Sequence, residues 1–346
     1  MKAIVVHAAH DIRLETRETR EPNDNEVQIQ VERGGICGSD LHYVQHGGFG
    51  TIKLREPMIL GHEISGRVIQ AGINAQDFTA GQLVAVSPSR PCLACEFCLQ
   101  GQLNHCMNMR FYGSAMPFPH IQGAFREILT VHKHQCAEAE GLSSAEAAMA
   151  EPLAVTIHAA LQAGNLVGKR VLITGCGPIG LLCSLVAQRA GAKEVVTTDI
   201  SDYPLEVAKT LGADATVNVS SAGAQSPLSE YCAGKGHFDV LFECTGVASA
   251  LAQAIPTIKP RGVIVQLGLG GDMNLPVQQL TAKELQLRGS FRFHDEFFTG
   301  VSWMKSKKID VNPLLTHTLT LEKMGEAFKL ATDRSVALKV QLAFSE

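Results

Sequence analysis

The sequence contains no run of 18 apolar residues, so no segment reads as a membrane-spanning helix. It has no basic excess: 30 Lys and Arg stand against 34 Asp and Glu, the net charge is -4, and the basic residues form no stripe. The electrostatic footprint of a nucleic-acid binder is missing, and nucleic acid is not an expected partner. The amino-terminal MKAIVVHAAHDIRLE lacks an apolar core of signal-peptide length before its first charges. A cytoplasmic protein with no membrane partner is the expectation. No internal repeat and no low-complexity stretch is evident. With 45% apolar and 18% charged residues, the chain also lacks the composition of a disordered protein, and its 346 residues predict two domains.

What the sequence does have is cysteine, 10 in all. In a cytosolic chain, clustered cysteines bind metal or do chemistry more often than they pair. Cys92, Cys95, Cys98 and Cys106 form the strongest local signal, C-x2-C-x2-C-x7-C. Two-residue spacings let a tight loop turn several thiolates toward one point. Four thiolates satisfy tetrahedral zinc and leave no open position, which predicts a structural site. An iron–sulfur cluster is the alternative for such a run. The long gap to Cys106 and the absence of a second cluster motif weigh against it.

Hydrophobic patterning divides the chain near Glu151. Before it lie short β-segments broken by Gly and Pro. Val27, Ile29 and Val31 alternate with polar residues as a half-buried strand should, and 64–69 and 83–86 also read as strands. This part is expected to be all-β or α+β. After it, strands at 169–174, 194–198, 238–242, 262–267 and 285–289 alternate with helical stretches such as 180–190 and 204–211. That rhythm predicts βαβ units and a parallel sheet. The last 55 or so residues lose the rhythm and are expected to rejoin the first domain.

Gly175-Cys176-Gly177-Pro178-Ile179-Gly180 is a GxGxxG run between an apolar strand and a helix, and Asp199 ends the next strand. That context is the Rossmann dinucleotide fingerprint. The glycines admit the pyrophosphate to the helix N-terminus. Asp199 would accept the ribose hydroxyls and repel a 2′-phosphate. No Arg or Lys follows in Ile200-Ser201-Asp202-Tyr203, so NAD is expected over NADP. Ile200, Cys244, Thr245, Leu267, Gly268, Ser290 and Phe291 are further candidate cofactor contacts, several of them at later strand ends.

Cys37 in GGICGSD, His62 and Glu63 in LGHE, and Glu151 in AEPLA are metal-ligand types scattered along the chain. Singly, each reads as core or surface. GGICGSDLH, GHE and the four-Cys loop, in this order and spacing, resemble the zinc-containing medium-chain dehydrogenases, over nearly the whole chain. The resemblance is to the polyol branch, which includes sorbitol dehydrogenase and has glutamate at the third catalytic position, as Glu151 would be here.

It implies an α/β fold: a Rossmann doubly wound parallel sheet plus a mostly-β GroES-like catalytic domain. The expected boundaries are 1–150 for the GroES-like domain with a zinc lobe at about 88–110, 151–288 for the Rossmann domain, and 289–346 for the return. It implies two zinc ions per chain. Cys37 and His62 would ligate the catalytic zinc, with Glu63 and Glu151 completing the site directly or through water. Asp40 would hold the second ring nitrogen of His62, and Ser39 and His42 would carry away the alcohol proton. Tyr43, Phe111, Glu151 and Arg292 would surround the substrate, with Arg110 as a second partner for a carboxylate. Phe293 stands where many sorbitol enzymes have Tyr.

RGGICGSDLHY, MRFYGSAMPFPH and GSFRF resemble the sugar-acid dehydrogenases acting on L-idonate. Interconversion of L-idonate and 5-keto-D-gluconate is thus the expected reaction. Sorbitol-, galactitol- or L-threonine-type oxidation is the alternative. A non-catalytic cofactor-binding protein is the rival class, against which the intact set Cys37, His62, Glu63 and Glu151 argues. A homodimer or homotetramer is expected by analogy with the family.

Overall fold

The computed structural model describes residues 1–220 and 226–345. They form two compact units. The first is Met1–Ala154, Phe293–Asp333 and Lys339–Glu346, and the second is Val155–Arg292 with Arg334–Leu338. The division falls a few residues from the expected 150/151 and 288/289. At the first boundary the helix Ala150–Ala163 runs continuously through the point where patterning changes, so sequence rhythm and compactness part company there. Residues 334–338, expected in the first domain, belong to the second unit.

In the first unit, the strand Glu26–Gly35 buries Val27, Ile29 and Val31 completely, as their alternation predicts. It is the hub of a seven-stranded sheet. Across one side lie Glu63–Ala71, Leu83–Val86 and Cys136–Glu138; across the other lie Lys339–Ala343 and Leu315–Thr320, while Ile128–His132 also pairs with it. Gly35 stands directly opposite both Glu63 and Gln341. A Cβ on Gly35 would meet Glu63 Oε2 at 2.1 Å, so this glycine leaves room for a buried carboxylate. The short strands Ser89–Arg90 and Arg110–Phe111 pair antiparallel and close the cysteine-bearing segment at its base.

The second unit is built on a six-stranded parallel sheet. Its order in space is Ala215–Asn218, Glu194–Asp199, Arg170–Thr174, Phe238–Glu243, Ile258–Gln266, Gln286–Gly289. Numbered by sequence, that is the 3-2-1-4-5-6 arrangement of a doubly wound sheet, with its switch point between Arg170–Thr174 and Phe238–Glu243. Val171, Leu172 and Ile173 are wholly buried, as a strand covered on both faces requires. The strand Ala215–Asn218 escaped the sequence reading because it is short and only half-buried throughout, so it carries no apolar run. No described helix is long and apolar enough to cross a membrane.

One buried carboxylate pins the start of the hub strand. Arg20 donates to both Glu26 oxygens at 2.6 Å, and the Asn23 amide donates at 3.1 Å. The Arg20 guanidinium holds the Glu26 carboxyl below its usual range, against the opposing effect of burial. A depressed carboxyl stabilises the fold above its unfolded pKa and loses that contribution as pH falls through its folded pKa. Arg20 is itself largely exposed, so Arg20→Gln is expected to cost only about 1 kcal/mol at neutral pH. The gap to wild type should close on acidification below about pH 4. Thermal melts showing a gap unchanged down to about pH 3 would contradict this.

Candidate functional site

Cys37 caps the helix Gly38–His46 in extended conformation, and its amide donates to Asp40 Oδ2 at 3.0 Å. Asp40 Oδ1 accepts the Gly61 amide at 3.1 Å. One wholly buried carboxylate thus ties the start of this helix to the turn that presents His62 and Glu63. Ligand atoms of Cys37, His62 and Glu63 lie within 4.8 Å of one another. Glu151, in the first turn of its helix, is buried and senses the same charges. Burial raises its carboxyl pKa to about 7, with His62 pulling it down and Glu63 pushing it up. Burial alone would lower the pKa of His62, but Asp40 and Cys37 hold it well above its ordinary value.

The expected hold of Asp40 on the second ring nitrogen of His62, a hydrogen bond donated by the imidazole, is not formed. His62 Nδ1 lies 3.8 Å from Asp40 Oδ1, an ion-pair separation, and has no hydrogen-bond partner. Both Asp40 oxygens are committed to the backbone amides of Cys37 and Gly61. A thiolate, an imidazole and a carboxylate, with a second carboxylate alongside, form a donor set that suits zinc with a position open to substrate.

Sequence reasoning missed Lys339. Its ammonium is buried and donates to Glu63 Oε1 at 2.8 Å, Glu63 Oε2 at 2.7 Å and the Ile36 carbonyl at 3.3 Å. The available signal was a lone cation inside the apolar strand Lys339–Ala343, whose residues are otherwise nearly all buried.

The sulfurs of Cys92, Cys95, Cys98 and Cys106 also lie within 4.8 Å of one another. The Ala94 amide, then the Asn108 side chain and the Cys95 amide, draw the Cys92 thiol down to about 6. Burial pushes Cys98 up to about 12. Four converging sulfurs with amide donors around them fit a closed zinc site.

In the second unit, Gly175 follows the strand Arg170–Thr174 with φ +87°, a conformation that favours glycine. A Cβ on Gly180 would sit 1.7 Å from the Gly175 carbonyl oxygen, whereas one on Gly177 would meet nothing closer than 3.9 Å. The turn therefore packs tightly at Gly180 and stays open at Gly177, as approach of a pyrophosphate demands. Pro178 and Ile179 open the helix Pro178–Arg189. Asp199 Oδ2 accepts the Cys176 amide at 2.7 Å, and Oδ1 accepts the Ser201 amide at 2.9 Å. Ile200 beside it is 71% exposed.

A second residue that went unnoticed, Glu243, organises the later strand ends. Its wholly buried carboxylate accepts from Thr245 N, Gly246 N, the Thr245 hydroxyl and Gln266 Nε2, and its carbonyl accepts the Leu267 and Gly268 amides. Ser290 Oγ is buried without a partner, and Phe291 is partly exposed. Cys244, just after the strand Phe238–Glu243, is half-buried.

Of the substrate candidates, Tyr43 is buried and its hydroxyl accepts the Ala115 amide at 3.0 Å. The Phe111 ring lies 5.6 Å from the His62 ring. Ser39 and His42 are half-buried on the helix that starts at Cys37, three residues apart and so on one face. Arg110 does not join them. Adjacent strand residues point to opposite faces, so with Phe111 turned toward His62, Arg110 is turned away. It is exposed and stands opposite Arg90. Arg292 lies in the second unit with φ +56° and its guanidinium 4.9 Å from the Phe291 ring centre. Phe293 is fully buried in the first unit and stacks on Phe297.

The chain's similarities agree with this geometry. The family model for an alcohol dehydrogenase GroES-like domain matches residues 23–141, and that for a zinc-binding dehydrogenase matches 178–306. The L-idonate 5-dehydrogenase (NAD(P)(+)) of Escherichia coli is 44% identical over 95% of this chain and 95% of its own length. The sorbitol dehydrogenase of Gallus gallus is 37% identical over 98% of this chain and 95% of its own length. The crystal structure of the Escherichia coli L-idonate 5-dehydrogenase superposes with a TM-score of 0.94 at 42% identity, covering 99% of this chain and 97% of that one.

Two variants separate the metal pockets. Cys37→Ala should lose one zinc equivalent and all turnover while keeping the fold, and Cys106→Ser should lose the other and melt earlier. Plasma emission spectrometry counts the metal; full activity in Cys37→Ala would refute the catalytic assignment. Lys339→Met strands the Glu63 carboxylate without its cation and is expected to cost about 3–5 kcal/mol. Lys339→Arg should recover part of that loss. Equal stability of the methionine variant and wild type in denaturant titration would rule out the buried pair.

Proposed function

The chain belongs to the zinc-binding dehydrogenases, and from that premise we propose that it interconverts L-idonate and 5-keto-D-gluconate using NAD. The 44% identity over 95% of the chain with the Escherichia coli enzyme carries the reading. The converging Cys37, His62 and Glu63 and the glycine turn at Gly175 support it.

Zinc held by Cys37, His62 and one or both of Glu63 and Glu151 would supply a Lewis acid that favours the alkoxide of a bound alcohol. The nicotinamide would supply the hydride acceptor or donor. The chain's own residues do the rest. Glu151, buried in the first turn of its helix beside the same charges, is placed to hold or release a proton when it does not ligate the metal. Ser39 and His42 lead that proton toward solvent. Burial, and then neighbouring His46, lowers the pKa of His42, which keeps it a neutral acceptor. Phe111 and Tyr43 wall the reacting centre and exclude water. Arg292 pairs with the substrate carboxylate through two parallel hydrogen bonds. At the cofactor, Asp199 accepts the ribose hydroxyls, and its charge with that of Asp202 disfavours a 2′-phosphate. The proposal includes cytoplasmic residence and, by analogy with the family, a homodimer or homotetramer.

Sorbitol or another polyol is the second reading. It draws on the 37% identity with the chicken sorbitol dehydrogenase over 98% of this chain. The purified protein should be offered L-idonate, sorbitol, galactitol and L-threonine with each cofactor while reduced nicotinamide is followed by absorbance. L-Idonate with NAD is expected to give the highest kcat/KM; a higher value for sorbitol would select the second reading, and turnover of none would end both. Arg292→Gln should raise KM for L-idonate roughly tenfold, the loss of a charged hydrogen-bonded contact, and change sorbitol turnover far less. Asp199→Ala should erode the preference for NAD. If wild type already prefers NADP, the role given to Asp199 is wrong.

A further inference from the structure

Two thiols outside both metal pockets approach one another in the second unit. Cys183 lies in the helix Pro178–Arg189 that follows the glycine turn and is 1% exposed. Cys244 follows the strand Phe238–Glu243 and is half-buried. Their sulfurs are 4.0 Å apart. Cys176, the third thiol of this region, is engaged elsewhere, its sulfur 3.6 Å from the Thr198 carbonyl. The pair belongs to segments from opposite sides of the switch point, because Cys183 rides on the helix after the first strand of the unit and Cys244 follows the fourth.

We propose that Cys183 and Cys244 are a site of oxidative modification, closed to a disulfide by peroxide, and that closure weakens cofactor binding at the glycine turn. Cys244, the less deeply buried residue of the two, reacts first. Its sulfur attacks the peroxide O–O bond, becomes a sulfenic acid and releases one water. The Cys183 sulfur then attacks the sulfenic sulfur, forms the S–S bond and expels a second water. Two thiols and one peroxide give one disulfide and two waters, the peroxide taking both electrons.

The consequence follows from packing. A disulfide needs its sulfurs about 2.05 Å apart, so closure must bring them roughly 2 Å closer, by turning both side chains and by whatever shift of the helix and the strand end that turning does not supply. There is no slack on the helix side, since Gly180 already packs against the Gly175 carbonyl so closely that a Cβ would lie 1.7 Å away. On the strand side, the Cys244 amide donates to the Thr174 carbonyl at 3.0 Å, immediately before Gly175. Movement of either thiol therefore reaches the turn proposed to hold the pyrophosphate. The neighbouring Cys183 and burial keep the Cys244 thiol protonated. Only the thiolate is nucleophilic, so closure is slow and records sustained exposure to oxidant rather than a brief pulse.

The effect on binding rests on the proposed dinucleotide site, and the test separates the two. Zinc-loaded protein is treated with hydrogen peroxide for increasing times, then mapped by mass spectrometry without reduction, with zinc content and NADH affinity measured on the same samples. The expected result is a linked pair of peptides bearing Cys183 and Cys244, formed while zinc is retained, with NADH binding weakened roughly tenfold and restored by dithiothreitol. Cys176 and Cys183 share one tryptic peptide, so Cys183→Ser and, independently, Cys183→Ala must abolish the linkage and leave NADH affinity unchanged by peroxide. Absence of the linked peptides in protein that binds NADH overturns the proposal. A linkage that leaves NADH affinity within twofold overturns the switch. Untreated protein that fails to bind NADH refutes the cofactor reading instead, and peptide mass still decides the disulfide.

Discussion

The ion pair between Lys339 and Glu63 sets the geometry of the metal pocket. Both side chains are almost wholly buried, an arrangement that is unfavourable unless each charge is fully bonded. Here the ammonium reaches both carboxylate oxygens and a main-chain carbonyl. The pair can form only because the strand Lys339–Ala343 lies on one side of the hub strand and Glu63–Ala71 on the other, with Gly35 between them. The carboxyl-terminal return of the chain is thus part of the pocket rather than an appendage. Even with Lys339 in place, the buried groups around His62 carry an acidic excess. Asp40, Glu63 and Glu151 face one lysine and one imidazole, an excess that a divalent cation would offset.

The second unit solves a different problem with the same economy of parts. Its cofactor turn is defined by backbone shape, with Gly175 left-handed, Gly177 open and Gly180 in contact. Around the switch point, however, a buried carboxylate does the organising. Glu243 gathers two amides, a hydroxyl and a side-chain amide, and so orders the loop that carries Cys244 and Thr245. In each unit a buried acid whose partners come mainly from backbone or distant strands holds the functional segment in place.

How much of this was legible from sequence depended on how local each signal was. The four cysteines span one short loop, and the glycine run is one strand–turn–helix. In both, nearest-neighbour spacing nearly dictates the geometry. Cys37, His62, Glu63 and Glu151 needed the family pattern to be joined, since they are separated by up to more than a hundred residues. Arg110 shows the opposite failure: adjacency to Phe111 in sequence suggested a shared pocket, but strand alternation sends neighbours to opposite faces. Asp40 had the right place and a different partner, because two backbone amides claimed its oxygens before the imidazole could. The strand Ala215–Asn218 went unseen because a short, half-buried strand lacks the periodicity that reveals the others.

The sequence by itself determined which chemistry the chain can carry: a four-thiolate cluster, a dinucleotide turn with an acid after the next strand, and a set of soft and hard ligands for a second metal. Residue type and short-range spacing express these directly. Only the tertiary structure decided which side chains meet. Lys339 under Glu63, Glu243 beneath its loop and Cys183 beside Cys244 are each joined by sheet pairing or by helix-on-sheet packing between segments far apart in the chain. No local pattern encodes such contacts, because they arise from the register and layering of whole elements.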